Sequence, residues 1–360
     1  MTDMSDVEQS AVDAPQEVSR VVTVPAADLP AKVAAALLKA GADDASAEAA
    51  TRAVMHASLL GVDSHGVRLI PHYCHVLGTG RVNGRPTLTL NRTAAASAMI
   101  DADNGLGALG SYKAIEVACE IAAETGIAAV GVVRSSHYGA AGAYALAGAE
   151  RGFFTFSTTN ADGLVGLFEG KKAFHGTNPL AFGAPTGEGK RPWLLDMATS
   201  SIPLNRVYLY RALDKALPEN VAADKEGMPV TDPHAVEMLM PLGAAFGFKG
   251  AALAGVATIL AAAFTGGKVD NEMLSMTRGT DWSTPRNLGH FFFAIDPDKF
   301  AGRAAYEAAM ASYLTALRAV PPVEGGRVMA PGDREWEVAD LRTRDGIPVD
   351  IDTARFLELV

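Results

Sequence analysis

Between Thr87 and Ile295 short strand-like runs alternate with small-residue helical stretches, and this alternation limits the chain to an α/β class of fold. Thr87–Asp103 reads as strand, Ser111–Thr125 as helix and Ile127–Val133 as a buried strand. Ala140–Glu150 is helical, and Phe153–Thr158, Pro179–Ala184, Trp193–Met197 and His290–Ile295 are strand-like. Ala251–Phe264 is apolar and alanine-rich but too short to span a bilayer, so it reads as a buried core helix. The residues before Thr87 carry a different signal. Asp28 and Ser46 are placed to cap two helices that stop at Gly41 and Gly61, and a third amphipathic stretch covers Val67–Leu77. Arg303–Arg318 is helical and leads to a polar, proline-containing end. Residues 1–20 read as a disordered tail, and the charged segment Asp214–Asp232 as a long surface excursion.

At 360 residues, 49% of them hydrophobic, the chain suits two domains with a sizeable core. A formal net charge of −10 argues against nucleic acid, which needs a basic stripe. Two cysteines, Cys74 and Cys119, make no disulfide framework and fit a reducing compartment. The polar, acidic start shows no apolar signal region, so a cytoplasmic protein without a membrane partner is expected.

Two stretches carry the chemistry. Asp63-Ser64-His65-Gly66, followed by Arg68, ends a helix, and Ser135-Ser136-His137-Tyr138-Gly139 follows a buried strand. Each sets a histidine among small or hydroxyl residues, and histidine exchanges protons near neutral pH. On a helical turn, residues 65 and 68 share a face, which places Arg68 to hold a carboxylate beside His65 with help from Ser64. Gly176-Thr177-Asn178-Pro179 offers hydroxyl and amide groups for orienting a substrate. Asp196 closes a buried strand and needs a partner, a histidine or a ribose. Lys249 opens an alanine-rich helix against the macrodipole, a conflict that an anion would relieve. His72-x-Cys74-His75 has ligand-like residues without a second pair, so no metal is expected.

Gly105-Leu106-Gly107-Ala108-Leu109-Gly110 is a literal G-x-G-x-x-G between a strand and a helix. It reads either as the phosphate loop of a Rossmann-type NADP oxidoreductase or as a tight strand-to-helix turn. The acids of Asp101 and Asp103 and the late position in the chain favour the turn.

Eight segments resemble, in order, the malate/L-lactate dehydrogenase family that lacks a Rossmann fold: DSHGVRLIPHY, DNGLGALG, SSHYGAAGAYA, GTNPLAFGAP, DMATS, PLGAAFGFKGAALA, GHFFFAIDP and APGD. Ureidoglycolate and L-sulfolactate dehydrogenases, 2,3-diketo-L-gulonate reductase and Δ1-piperideine-2-carboxylate reductases are members. The resemblance implies a helical domain from residues 21–85 with 310–360. It also implies a central cofactor-binding domain, residues 86–309, around a mixed, largely antiparallel sheet. It implies a homodimer that uses NAD or NADP. Hydride would pass between the nicotinamide and C2 of a 2-hydroxy acid/2-oxo acid pair, or a cyclic imine carboxylate. Carried over, His65, His137 and Asp196 are the catalytic positions, and Ser64, Arg68, Thr177 and Asn178 the substrate contacts. Asn160, Ala161, Asp196, Met197, Ala198, Lys249, Gly250, Pro331, Gly332 and Asp333 are the cofactor contacts. Many members place the arginine one residue later than Arg68, and many have Asn where Ser136 stands. A non-catalytic binding protein on the same fold is the alternative of a different class.

Overall fold

The computed structural model describes residues 21–276 and 279–360; the expected disordered tail, residues 1–20, lies outside the described residues. Strand β1 (Val21–Val24) leads into helices α1 (Leu29–Lys39), α2 (Asp44–Leu59) and α3 (Ile70–Gly78). Two 3-10 turns, Asp63–His65 and Val67–Leu69, lie between α2 and α3. The hairpin β2 (Thr89–Ala94) and β3 (Ser97–Asp101) is followed by α4 (Gly107–Thr125), β4 (Ile127–Ser135), α5 (Gly142–Glu150) and β5 (Phe154–Thr159). Next come β6 (Val165–Gly166), β7 (Ala173–His175), β8 (Leu180–Ala184), β9 (Trp193–Met197) and α6 (Leu204–Ala212). The chain continues through β10 (Ala222–Ala223), β11 (Met238–Leu239), α7 (Phe248–Thr258), β12 (Leu288–Ile295) and α8 (Arg303–Arg318). It ends with α9 (Asp333–Asp345), β13 (Ile347–Asp350) and α10 (Ile351–Phe356).

Seven strands form one sheet in the order β2-β3-β4-β12-β5-β8-β9. Only β3 and β4 run parallel, as the crossover through α4 requires; the other neighbours are antiparallel. The sheet is mixed and largely antiparallel, as the resemblance implied. At its centre Phe292 lies between Val130 and Ser157 and is fully buried. Ala114, Ile115 and Ala118 of α4, with Tyr144 and Ala145 of α5, pack on the same core. Small residues there let helix backbones approach the sheet: a Cβ on Gly148 would overlap the side chain of Thr155 on β5.

A second core forms around the first three helices. Leu29, Val33 and Leu37 repeat every four residues and are completely buried, against Ala50 and Val54 of α2 and Ile70 and Tyr73 of α3. β1 pairs antiparallel with β13, Val24 opposite Ile347, so both ends of the described chain close this core.

Several local expectations change. Asp43 caps α2, its carboxylate accepting the Ser46 N–H at 2.8 Å, while Ser46 sits inside the helix. Asp28 precedes α1 without a side-chain cap. The amphipathic stretch from Val67 begins as a 3-10 turn and becomes α-helical at Ile70, with Pro71 in the first turn. The segment Asp214–Asp232 is more than a surface excursion. Leu217 and Ala222 are buried, and β10 and β11 join β6 and β7 in a four-stranded sheet. The apolar stretch Ala251–Phe264 is not a buried core helix. It is α7 plus a π turn, Ile259–Ala263, and it buries Ala254, Ala257, Ala261 and Ala262 while leaving Leu253, Val256, Ile259 and Phe264 exposed.

Candidate active site

The chain turns sharply after α2. Ser58 Oγ accepts the Val67 N–H at 3.0 Å, and a Cβ on Gly66 would overlap that same hydroxyl. Gly66 is therefore glycine because the turn lies against α2. It is extended, with ψ −152°, and splits the segment into two separate 3-10 turns. This removes the shared helical face expected for residues 65 and 68. Arg68 is exposed and makes no hydrogen bond or ion pair among the described residues. His65 is fixed instead by Ser64, whose Oγ lies 2.8 Å from Nδ1, and Asp63 holds the turn to α9 through a bidentate ion pair with Arg342.

His137 enters from the other core, on the loop after β4. Ser136 Oγ donates to the Gly105 carbonyl at 2.9 Å. A Cβ on Gly107 would overlap the Ser136 carbonyl and lie 2.8 Å from the His137 carbonyl. Gly105 abuts Pro86, and Gly110 abuts Ala102 and Val132. The glycine fingerprint is thus filled by protein and forms the backing of the His137 loop; no space for a pyrophosphate remains there.

The structure brings the two histidines together. Their rings stack with centroids 5.7 Å apart and an interplanar angle of 22°. Tyr73 of α3 reaches His137 Nδ1 at 2.8 Å, and the Gly139 N–H approaches the same nitrogen at 3.4 Å. Burial pulls His65 down to about 4. His137 lies well below the usual imidazole range, first through burial and then through His65, His72, Arg286 and His290. Both rings are neutral at pH 7.

Asp196, at the end of β9, makes no hydrogen bond to either histidine. Its partner is the N-terminus of α5: Oδ2 accepts the Gly142 N–H at 2.7 Å. Gly142 is required there, because a Cβ would lie 2.8 Å from that oxygen. One side of the carboxylate remains solvent-exposed, so the strand end is not buried as expected. The protein around its other sides nevertheless pushes its pKa up to about 6; the Gly142 bond opposes this and Glu335 adds to it. Met197 and Ala198 follow, half-buried. Pro331 lies behind the same strand, its carbonyl 3.4 Å from the Leu194 N–H. Asp333 opens α9, paired in bidentate fashion with Arg318 at 2.6 and 3.0 Å. Pro331, Asp333 and Arg318 border a cleft of about 740 Å³ that also exposes Lys190, Arg191 and Arg327; Asp196, Met197 and Ala198 are not among its walls.

Lys249 is exposed at the start of α7, its ammonium 5.1 Å from the Phe246 ring centre. A Cβ on Gly250 would overlap the Leu242 carbonyl, so that glycine serves the approach of a loop. Asp270 stands in no motif, yet this buried carboxylate organises the region. It accepts from Asn160 and Asn178 at 2.8 Å, Thr258 at 2.9 Å and the Gly176 N–H at 3.1 Å, with His175 Nδ1 at 3.0 Å. Asn178 also receives the Ala161 N–H at 3.1 Å, and Thr177 accepts the Thr199 N–H at 2.9 Å. Four of the expected contact residues, Asn160, Ala161, Thr177 and Asn178, therefore belong to one tied assembly.

The pattern of the malate/L-lactate dehydrogenase family matches residues 24–358. The chain belongs to the malate/L-lactate dehydrogenase family. It is 32% identical to a malate dehydrogenase of Pyrococcus abyssi, covering 91% of both chains. It is 31% identical to the ureidoglycolate dehydrogenase (NAD(+)) of Escherichia coli K12, covering 89% of this chain and 90% of the relative. The solved sulfolactate dehydrogenase of Methanocaldococcus jannaschii superposes with a TM-score of 0.87 at 28% identity, over 94% of this chain and 96% of that one. This member of the family is an oxidoreductase, and its sheet excludes the Rossmann reading of Gly105–Gly110.

A nicotinamide cofactor is the group a dehydrogenase of this family calls for. The residues present fit one. The cleft beside Pro331 and Asp333 has the volume of a ligand site, with four cationic side chains and the carboxylates of Asp333 and Glu337 on its walls. The buried Asn160 Oδ1 has no partner among the described residues and is free to accept from an amide.

Proposed function

We propose that this protein moves a hydride between a nicotinamide cofactor, NAD or NADP, and C2 of a 2-hydroxy acid/2-oxo acid pair, cyclic imine carboxylates being the related class. The observation that carries this reading is the stacked His65–His137 pair, 5.7 Å apart, where the two cores meet. The bound nicotinamide supplies or accepts the hydride. Asn160 and Ala161, with Asp196 to Ala198, Lys249, Gly250 and Pro331 to Asp333, are the residues we assign to holding it.

The protein's own part is proton management. Gly139 N–H is an obligate donor to His137 Nδ1, and the Tyr73 hydroxyl donates to the same atom. The neutral His137 therefore carries its proton on Nε2 and acts as a fixed donor that polarises the C2 oxygen. The Ser64 hydroxyl, by contrast, either accepts from or donates to His65 Nδ1 by rotating. His65 can so present Nε2 as base or as acid, and we assign it the proton that leaves or reaches the C2 oxygen. We assign Thr177 to orienting the substrate; the fully buried Asn178, whose amide atoms are all used within the protein, positions that turn, and Asp196 keeps the strand end fixed against α5.

Leu253, Val256, Ile259 and Phe264 form an exposed apolar stripe that supports a homodimer, with a second copy covering α7. No helix of the described residues is long and apolar enough to cross a membrane, and we place the protein in the cytoplasm. A panel of 2-oxo acids and cyclic imine carboxylates, assayed with NADH and with NADPH at the nicotinamide absorbance, tests the function. Turnover of at least one such substrate is expected. Nicotinamide binding without turnover of any would favour the non-catalytic alternative.

A further inference from the structure

Behind His137 lies a small, partly open cavity of about 10 Å³, room for one oxygen-sized group, walled by His72, Tyr73, Ser136, His137, Arg81 and Arg286. Two cations face one void. Arg286 is neutralised by a buried ion pair with Asp162 and by a hydrogen bond to the Leu274 carbonyl at 2.8 Å. Arg81 is not. Only 3% of it is exposed, and it forms no ion pair among the described residues. One nitrogen, Nη2, donates to the Asp281 carbonyl, while Nε and Nη1 are buried with no partner. The nearby Asp281 carboxylate is turned away, accepting the Ser283 and Thr284 N–H groups at 3.0 and 2.9 Å. Trp282 lies 5.0 Å from the guanidinium and shields it from water.

A desolvated cation with two idle donors is a costly arrangement unless an anion completes it. Arg68 lies beyond the extended Gly66 and shares no helical face with His65, so the task of holding a substrate carboxylate beside the histidines is open. We propose that Arg81 binds the substrate's carboxylate, drawing one of its oxygens into the cavity beside His137. This rests on the hydride-transfer reading above and specifies its substrate as an anion gripped from the α3 side. One carboxylate oxygen then accepts from one of these two idle nitrogens, and the adjacent C2 is set against the stacked histidines. Arg286, already paired with Asp162 through Nη2, adds its field.

The test is calorimetric titration of oxamate, a 2-oxo acid mimic, and of the uncharged ethyl oxamate into the protein with and without saturating NADH. Wild type is expected to bind oxamate and not the ester. Arg81→Met should weaken oxamate binding by about 10- to 100-fold, the scale of one charged hydrogen bond. NADH affinity should be unchanged. Arg81→Lys should fall between, and added guanidinium ion should restore part of the loss in the Met variant. If Arg81→Met fails to fold, Arg81→Lys with a cooperative melt carries the comparison. The proposal is overturned if a cooperatively melting variant binds oxamate as wild type does, if wild type does not bind oxamate, or if Arg68→Met abolishes binding while Arg81→Met keeps it. Oxamate binding lost through Arg81, in a protein that turns over no oxo acid or imine, would instead sink the enzymatic reading and leave the anion site standing.

Discussion

Tyr73 on α3 lies 2.8 Å from His137 Nδ1, so a residue of the helical core is hydrogen-bonded to a histidine carried by the sheet core. The two histidines lie 5.7 Å apart because of such ties between cores, not because of local sequence. Tyr73 is buried and its hydroxyl pKa is raised by that burial, which keeps it a neutral donor at any working pH.

His65→Gln should lower kcat by about 10²- to 10⁴-fold, the range for one positioned acid–base group. Glutamine keeps a hydrogen-bonding side chain near Ser64 but cannot take up the proton. Cofactor affinity, followed by quenching of nicotinamide fluorescence, should survive. Full turnover in the variant would remove His65 from the proton path.

Gly107→Ala separates packing from phosphate binding. The new methyl meets the carbonyls of Ser136 and His137, so the variant should lose about 1–3 kcal/mol in urea unfolding and shift the His137 loop. Activity should fall through kcat. A variant of unchanged stability and weakened cofactor binding would contradict the packing role.

Asp270→Asn should destabilise the fold by about 2–4 kcal/mol at pH 7. Burial pushes this carboxyl up, but the bonds from His175, Asn160, Asn178 and Gly176 outweigh it and hold it below the ordinary value. With the folded pKa depressed, its contribution is complete above the unfolded value of about 3.9 and disappears as pH falls through the folded one. The stability gap between wild type and variant should therefore shrink from pH 7 to pH 3 in chemical denaturation. A gap that stays constant would mean the charge is not what matters.

Asp196 titrates with the opposite sign. Its folded pKa of about 6 exceeds the unfolded value, so between about pH 4 and 6 the folded state holds a proton that the unfolded chain has lost. The ionised carboxylate penalises the fold above pH 6 and the penalty fades below it. Asp196→Asn should gain on wild type at pH 7.5 and lose that advantage at pH 5, while its amide oxygen still accepts from Gly142. Equal differences at both pH values would count against the raised pKa.

Much of the sheet was legible because its strands are continuous apolar runs: Trp193–Met197 matches β9, and Ile127–Val133 lies inside β4. His65 and His137 were legible because each stands in a small-residue setting. What failed depends on distant partners. Arg68 was assigned by helical spacing, and the extended Gly66 breaks that spacing. Ala251–Phe264 reads as core in the sequence because apolar content does not tell a core face from an uncovered one. Asp270 lies in a short polar stretch with no periodicity, and its five partners come from residues up to 110 positions away. Arg81 has a meaning only once Asp281 is seen to turn its carboxylate elsewhere.

The pairing of Val21–Val24 with Ile347–Asp350 has a consequence for synthesis on the ribosome. The helical core that carries His65 keeps β1 unpaired until β13, more than three hundred residues later in sequence, has been made. The sheet core, with His137, can collapse much earlier. Closure of the core that carries His65 therefore waits on β13, and a chain lacking that strand would leave β1 as an exposed edge.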